Sequence, residues 1–224
     1  MQPLTLTTPK PLLEVAGKPL ITWHLEKLAA LGIGEVIVNT AWLADRIHAA
    51  VGDGARHGVS VRYSHEGDAP LETGGALLYA RALIGEDPFL LVNGDIWTDY
   101  DFARLPTEPA GMAHLVMVPV PEQNACGDFF LDGAGLLHDT GDAMTTYAGI
   151  GVFRMALLDT WQRAIGDTAG ALLQPPRFPL APVLRNAMFA GLVSGELHAG
   201  SWTDVGTPER LHALDQRLRS GQAN

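Results

Sequence analysis

The first hundred residues alternate between helix-like and strand-like patterns of apolar residues. Apolar positions at helical spacing predict helices over 20–31, 42–51 and 73–84. Short apolar or alternating runs predict strands over 35–39, 59–63 and 88–93. Because strands that alternate with helices form βαβ units, the pattern predicts an α/β fold with a mostly parallel sheet and helices on both faces.

The second half of the chain is less regular and richer in strand-like runs. Strands are predicted over 113–120, 147–154 and 191–198, with a hairpin over 127–138 that turns at Asp132-Gly133. Helices are predicted over 156–165, 183–190 and 207–218, and the Gly- and Pro-rich stretch 166–182 predicts a mobile connection. No repeat, charge run or linker composition divides the chain, so we expect one domain over residues 1–224 with a small β-rich flank.

Charge and composition exclude several classes of protein. Asp and Glu number 25 against 15 Lys and Arg, and the resulting net charge of −10 argues against the broad basic face of a nucleic-acid-binding protein. No run of about 20 apolar residues predicts a membrane span, and the first residues lack the pattern of a signal peptide. A single cysteine, Cys126, suits a reducing compartment. We therefore expect a cytoplasmic protein without a nucleic-acid or membrane partner.

Two segments carry residues that suit phosphate and metal chemistry. Lys10 lies between Pro9 and Pro11, which hold its ammonium group on a stiff, extended segment where it can meet a phosphate. A solvated lysine on a surface loop is the alternative. Asp95 follows an apolar strand and Gly94, at the sheet edge where α/β proteins bind ligands. Its carboxylate suits Mg²⁺, and a turn cap is the alternative.

Two further segments open predicted helices. Asp204 comes shortly before Thr207, and a helix cap explains Thr207 but not Asp204. Gly74 and Gly75 follow Glu72 and open a helix, where paired glycines let backbone amides approach a ligand closely. A plain turn explains the same two glycines.

Taken in order, these segments resemble the sugar-1-phosphate nucleotidyltransferase family. The matching runs are Pro-Leu-Thr from Pro3, Pro-Lys-Pro-Leu-Leu from Pro9, Gly-Lys-Pro-Leu-Ile from Gly17, Leu-Glu-Thr-Gly-Gly from Leu71, Asn-Gly-Asp from Asn93 and Trp-Thr-Asp-Val-Gly-Thr from Trp202. The resemblance extends over residues 3–218. Within the family the chain most resembles bacterial N-acetylmuramate-1-phosphate uridylyltransferases of cell-wall recycling, on the run 91–102 and on Gly127-Asp128-Phe129. Mannose-1-phosphate guanylyltransferase-like enzymes share much of this pattern.

The resemblance implies a Rossmann-like mixed α/β nucleotide-binding fold. It implies that a sugar 1-phosphate attacks the α-phosphorus of a nucleoside triphosphate, with UTP favoured, and that pyrophosphate leaves. Catalysis would rest on Lys10, which neutralises phosphate charge, and on Asp95 and Asp204, which would bind Mg²⁺. The nucleotide-binding residues would be Lys10, Glu72, Gly74 and Gly75. The sugar-binding residues, with N-acetylmuramate 1-phosphate favoured, would be Asn93, Asp128, Tyr147 and Gly149.

The chain departs from the family pattern at its start. The family has a buried strand and a Gly-rich loop ending in Arg-Met directly before Pro-Leu-Thr, where this sequence has Met1 and Gln2. We expect the chain to be N-terminally incomplete, through a start site assigned too far downstream. Two other functions stay open: a metal-dependent glycosyltransferase that uses Asp95, Asp99 and Asp101, and a non-catalytic nucleotide-sugar-binding regulatory protein. We expect a monomer or a small homo-oligomer.

Overall fold

The computed structural model describes residues 1, 3–67 and 69–221. In these residues the strands are β1 (Glu14–Val15), β2 (Lys18–Pro19), β3 (Glu35–Thr40), β4 (Ser60–His65), β5 (Phe89–Val92), β6 (Ile96–Thr98), β7 (Ala113–Pro119), β8 (Phe129–Leu131), β9 (Leu137–His138), β10 (Met144–Phe153), β11 (Val193–Leu197) and β12 (Trp202–Asp204). The α-helices are α1 (Leu20–Ala30), α2 (Ala44–Val51), α3 (Glu72–Tyr79), α4 (Arg81–Ile84), α5 (Trp161–Ile165), α6 (Ala181–Phe189) and α7 (Pro208–Arg219). None of these helices combines the length and the apolar character that a membrane crossing requires.

These elements divide between two compact units. The first unit comprises the described residues of 1–68, 93–104 and 200–224, and the second comprises 69–92 and 105–199. The single domain over 1–224 stays a prediction.

Helix α1 contributes to two apolar clusters in the described part of the first unit. Helices α1 and α2 pack against the parallel pair β3 and β4, whose register runs from Glu35 opposite Ser60 to Thr40 opposite His65. The second cluster joins the start of α1 to α7 and to the antiparallel ribbon of β6 and β12. Its fully buried members include Val15, Leu20 and Val205. The cluster therefore holds the ribbon through Trp97 of β6 and through Val205, the residue after Asp204.

The second unit is built on a mixed sheet with β10 at its centre. The order is β11-β7-β10-β8-β9, and β5 also pairs with β10. Strand β10 runs antiparallel to β5, β7 and β8, whereas β11 is parallel to β7. One face of the sheet packs on α5 and α6 in a cluster that includes Leu115, Met117 and Phe153.

The α/β class and the mixed sheet are confirmed, but the expected mostly parallel pairing is wrong. Among the strand pairs of the described residues, β3–β4 and β7–β11 are parallel and the others are antiparallel. An apolar run shows that a strand is buried on both faces but carries no information on its direction. The hairpin expected over 127–138 is confirmed as β8 and β9.

Local differences from the sequence-based elements have simple causes. The helix expected over 73–84 divides into α3 and α4, and the helix expected over 156–165 begins as the 3₁₀ turn Met155–Thr160. The segment 1–17, expected as loop, contains 3₁₀ turns and the short strand β1. Within the connection expected over 166–182, Phe178 is buried and stacks on Trp161 with 4.7 Å between the ring centroids.

Candidate active site

The ribbon of β6 and β12 brings Asp95 and Asp204 to the same end of the first unit. Asp204 is the last residue of β12 and lies opposite Ile96, the first residue of β6. The next residue, Val205, donates its backbone N–H to the carbonyl oxygen of Asp95 at 2.9 Å. The two residues that the sequence assigns to a metal are therefore neighbours, with Asp95 directly before β6 and Asp204 at the end of β12.

Lys10 lies against the first of these carboxylates. Its Nζ is 3.1 Å from Oδ2 of Asp95, and the two side chains are 41% and 33% exposed. The Lys10–Leu12 3₁₀ turn packs against Gly94, where an added Cβ would lie 3.1 Å from Cγ of Pro11. Because the ion pair is open to solvent, it adds little to stability and leaves both groups available to a ligand.

A second cation, which the sequence reasoning missed, lies against the other carboxylate. Nη1 of Arg210 is 3.1 Å from Oδ2 of Asp204. Arg210 lies in the first turn of α7, and its backbone N–H is capped by Oγ1 of Thr207 at 3.3 Å. The cap predicted for Thr207 is therefore confirmed, and the site consists of two carboxylates, each with its own cation.

The donor set fits a magnesium ion that is shared with a substrate. The described residues contain no group of three His, Cys, Asp or Glu side chains that could hold a metal. Mg²⁺ uses one or two carboxylates and completes its octahedron with water and substrate phosphate oxygens. Asp95 and Asp204 would supply two carboxylates to such an ion, and phosphate oxygens and water would fill the remaining positions.

Two side chains of α1 hold the backbone that follows Asp95. His24 is 5% exposed and its Nε2 donates to the carbonyl oxygen of Ile96 at 2.9 Å. Burial lowers the pKa of the His24 imidazole from 6.5 to about 4, so the ring is neutral at pH 7. Nζ of Lys27 donates to the carbonyl oxygens of Thr98 at 2.6 Å and Tyr100 at 3.1 Å. Burial also lowers the pKa of Lys27.

In the second unit, Gly74 and Gly75 allow α3 to lie directly on the segment 176–178. A Cβ at Gly74 would lie 2.5 Å from the Phe178 ring, and one at Gly75 would lie 2.5 Å from the carbonyl oxygen of Pro176. The backbone N–H of Gly75 donates to the Phe178 carbonyl at 3.0 Å. This close packing accounts for both glycines, and their contact with a nucleotide stays a prediction.

Glu72 begins α3 in a backbone conformation that is rare for a side-chain-bearing residue. Its φ is +61°, in the left-handed region, which costs about 1 kcal/mol for a residue other than glycine. Oε1 of Glu72 is 3.3 Å from Nε of Arg177, and both side chains are at least 40% exposed. The carboxylate is therefore held at the surface of the second unit by a cation that sequence reasoning did not find.

Asp128 contacts the strand β10, which carries Tyr147 and Gly149, two of the other predicted sugar-binding residues. Its Oδ2 accepts from the backbone N–H of Tyr147 at 2.9 Å, and its Oδ1 accepts from Nδ2 of Asn124 at 3.2 Å. The register of β10 against β7 shifts between Tyr147 and Gly151, and Gly149 inside that bulge has φ +76°. The geometry shows Asp128 shaping the bulge through its carboxylate.

The hydroxyl group of Tyr147 points into the protein interior and makes no hydrogen bond. Burial raises the pKa of the phenol, so the hydroxyl remains a neutral donor. A buried hydroxyl without a partner costs free energy, which makes it a candidate contact for a bound ligand. Asn93, which opens the segment before Gly94, is half-buried.

The predicted site residues are distributed over both units. Lys10, Asp95 and Asp204 are brought together in the first unit, to which Asn93 also belongs. Glu72, Gly74 and Gly75 lie at the start of α3, and Asp128 contacts Tyr147, both in the second unit.

Comparison with known proteins gives consistent matches. The pattern of the nucleotidyl transferase family matches residues 1–127. The chain is 44% identical over 218 residues to an N-acetylmuramate alpha-1-phosphate uridylyltransferase of Neisseria meningitidis, covering 94% of this chain and 90% of the relative. It is 31% identical over 233 residues to a protein of the same name from Caulobacter vibrioides, covering 97% and 91%.

The fold is shared with a solved structure of low sequence identity. A putative glucose-1-phosphate thymidylyltransferase from Bacillus anthracis superposes with a TM-score of 0.78 at 20% identity. The superposition covers 98% of this chain and 90% of the other. At this identity the likeness shows the fold alone.

Proposed function

Because the chain belongs to the nucleotidyl transferase family, we propose that it transfers the uridylyl group of UTP to N-acetylmuramate 1-phosphate. A phosphate oxygen of the sugar 1-phosphate attacks the α-phosphorus of UTP. The bond from the α-phosphorus to the oxygen that bridges to the β-phosphorus breaks, and that oxygen leaves with pyrophosphate. The observation that supports this most directly is the placement of Lys10 on Asp95, beside Asp204.

The reaction joins two anions, so the site must supply positive charge and alignment rather than covalent chemistry. Lys10 binds a phosphate oxygen of the nucleotide and leaves Asp95 when it does so. Asp95 and Asp204 would hold Mg²⁺, which when bound neutralises negative charge between the reacting phosphates. His24 and Lys27 hold the backbone from Ile96 to Tyr100 through hydrogen bonds, and this positions the neighbouring Asp95 carboxylate.

The other residues assigned to the substrates belong to the second unit, except Asn93, which belongs to the first. Glu72, Gly74 and Gly75 are assigned to the nucleotide on the family resemblance. Of the residues assigned to the sugar, Tyr147 has the strongest support, since its hydroxyl is a buried donor without a partner. Asp128 and Gly149 shape the bulge of β10 that would contact the sugar, because Asp128 accepts a hydrogen bond from Tyr147 at its start and Gly149 has a positive φ within it. Asn93 completes the set on the family resemblance. A cytoplasmic place in cell-wall recycling is part of the proposal.

The test uses the protein as its own host produces it, with an affinity tag after Asn224. Pyrophosphate release is measured with UTP or GTP and with N-acetylmuramate 1-phosphate or mannose 1-phosphate, and the nucleotide-sugar is separated by chromatography. The expected result is the highest kcat/KM with UTP and N-acetylmuramate 1-phosphate. A preference for GTP and mannose 1-phosphate overturns the substrate assignment. Absence of pyrophosphate with every pair overturns the proposed reaction.

A further inference from the structure

Arg210 occupies a position that is unfavourable for a cation. It lies in the first turn of α7, where the partial positive charge of the helix N-terminus repels it. Its side chain is only 24% exposed. Its Nε and Nη1 atoms are buried and make no hydrogen bond of good geometry, although Nη1 is close to the Asp204 carboxylate. Unbonded buried N–H groups on a charged side chain are costly.

Gly206 makes room for the guanidinium in this place. A Cβ added to Gly206 would lie 2.1 Å from Nη2 of Arg210 and 3.2 Å from Oδ2 of Asp204. The backbone of Gly206 does not have a positive φ, so its conformation does not by itself require glycine. Glycine at position 206 therefore leaves the space that the Arg210 guanidinium occupies beside Asp204.

We propose that Arg210 binds the phosphate of the sugar 1-phosphate, and that Asp204 holds the guanidinium until this substrate arrives. This rests on the proposed function. A guanidinium presents five N–H donors in a planar fork that matches a phosphate bidentately, and in Arg210 two of its nitrogens are without hydrogen bonds. Lys10 lies on Asp95 and is assigned to the nucleotide. Arg210 on Asp204 is then the cation for the second anion.

The proposal predicts effects of opposite sign on two ligands. Arg210 competes with a metal ion for Asp204 in the substrate-free protein, so its removal frees that carboxylate and tightens metal binding. The same removal takes away a charged donor to the sugar phosphate and weakens substrate binding. If Arg210 had a purely structural role, its removal would weaken the binding of both the metal ion and the sugar phosphate.

Arg210→Gln removes the charge and keeps most of the side-chain length. We expect the Kd of Mn²⁺ for the substrate-free protein, measured by electron paramagnetic resonance, to fall about three- to tenfold, in keeping with a partly exposed ion pair. The KM for N-acetylmuramate 1-phosphate should rise about 10- to 100-fold, as for loss of a charge-assisted hydrogen bond. The KM for UTP should not change. Arg219→Gln is the matched control, since Arg219 lies on the same helix, is 62% exposed and pairs with Asp215.

Gly206→Ala provides an independent variant in case Arg210→Gln does not fold. Its methyl group displaces the flexible end of Arg210 from Asp204 and leaves the charge in place, so Mn²⁺ binding should tighten while the KM for the sugar phosphate rises less than in Arg210→Gln. Weaker Mn²⁺ binding in both variants, or an unchanged KM for the sugar phosphate in Arg210→Gln, overturns the proposal. A rise in the KM for UTP instead overturns the assignment to the sugar phosphate. Failure of the proposed function is recognised separately, because the wild-type protein would then release no pyrophosphate.

Discussion

The burial of His24 predicts that the stability of the protein depends on pH. The ring lies under the strand that follows Asp95 and donates to the carbonyl oxygen of Ile96 at 2.9 Å. Burial lowers its pKa from 6.5 to about 4, and the unfolded chain retains the ordinary value. Between these two pH values the unfolded state binds more protons than the folded state. Stability therefore falls as the pH drops below 6.5.

The size of this effect follows from the same two pKa values. Because His24 binds its proton more tightly in the unfolded state, its titration lowers the free energy of unfolding by about 2 kcal/mol at pH 5 and about 3 kcal/mol at pH 4. His24→Gln replaces the imidazole N–H with a side-chain amide N–H that does not titrate. Carboxylates that titrate in the same range are common to both proteins and cancel in the difference.

The assay is urea unfolding of wild type and His24→Gln at a series of pH values from 7 to 4. We expect the free energy of unfolding of the wild type, measured relative to the variant, to decline by about 3 kcal/mol across this range. His212→Gln, on the exposed side of α7, is the control and should follow the wild type. A difference between wild type and His24→Gln that stays constant with pH would refute the reasoning.

Three further predictions concern Lys10, Tyr147 and Gly74. Lys10→Ala should lower kcat/KM for pyrophosphate release about 10²- to 10³-fold, because a preorganised charge at the reacting phosphates is lost. Arg62→Ala, which removes an exposed ion pair of β4, should leave it unchanged. Tyr147→Phe should raise the KM for the sugar 1-phosphate about tenfold without lowering the free energy of unfolding, because the hydroxyl has no partner in the protein. Gly74→Ala should lower the free energy of unfolding by about 1–3 kcal/mol through overpacking against Phe178, measured by urea unfolding.

Each of these predictions has an outcome that contradicts it. Equal activity of Lys10→Ala and Arg62→Ala would show that Lys10 has no role in the reaction. Destabilisation by Tyr147→Phe would show that the hydroxyl has a partner after all. Gly34→Ala is the control for Gly74→Ala, because its added Cβ would meet nothing within 4 Å. Similar stabilities of these two alanine variants would show that the packing of α3 on Phe178 tolerates a side chain.

The local pattern of the sequence predicts the elements of the first unit well. The apolar spacing from Leu20 onward ends at Gly32, and α1 ends within two residues of that point, at Ala30. Strands β3 and β4 were predictable because one run is short and β-branched and the other alternates, and the helix between them favours the parallel pairing that is observed. The direction of β10 was not predictable, since a run of buried residues looks the same in a parallel and an antiparallel strand.

The candidate site was predictable only where residue type and chain position both carry a signal. Lys10 between two prolines and Asp95 after a strand have such a signal. His24 has none, because its importance comes from Ile96, which is distant in sequence. Arg210 has none either, because a basic residue in the first turn of a helix has the same sequence pattern as an ordinary surface cation, even though its partner Asp204 is close in sequence. Gly74 is a different case: the sequence assigns it to ligand approach, the structure shows a packing contact that also favours glycine there, and the ligand contact stays a prediction.

The central claim is that the carboxylates of Asp95 and Asp204 serve transfer of a nucleotidyl group to a sugar phosphate. The most direct test follows label from UTP that carries radioactive phosphorus at the α position, in the presence of N-acetylmuramate 1-phosphate. We predict that the label appears in the nucleotide-sugar and not in pyrophosphate. Asp95→Asn and Asp204→Asn should each lower its transfer by at least about 10²-fold, and Asp45→Asn, exposed on α2, should not. Label that stays in UTP or appears only in UMP, or transfer that survives both substitutions, would contradict the account.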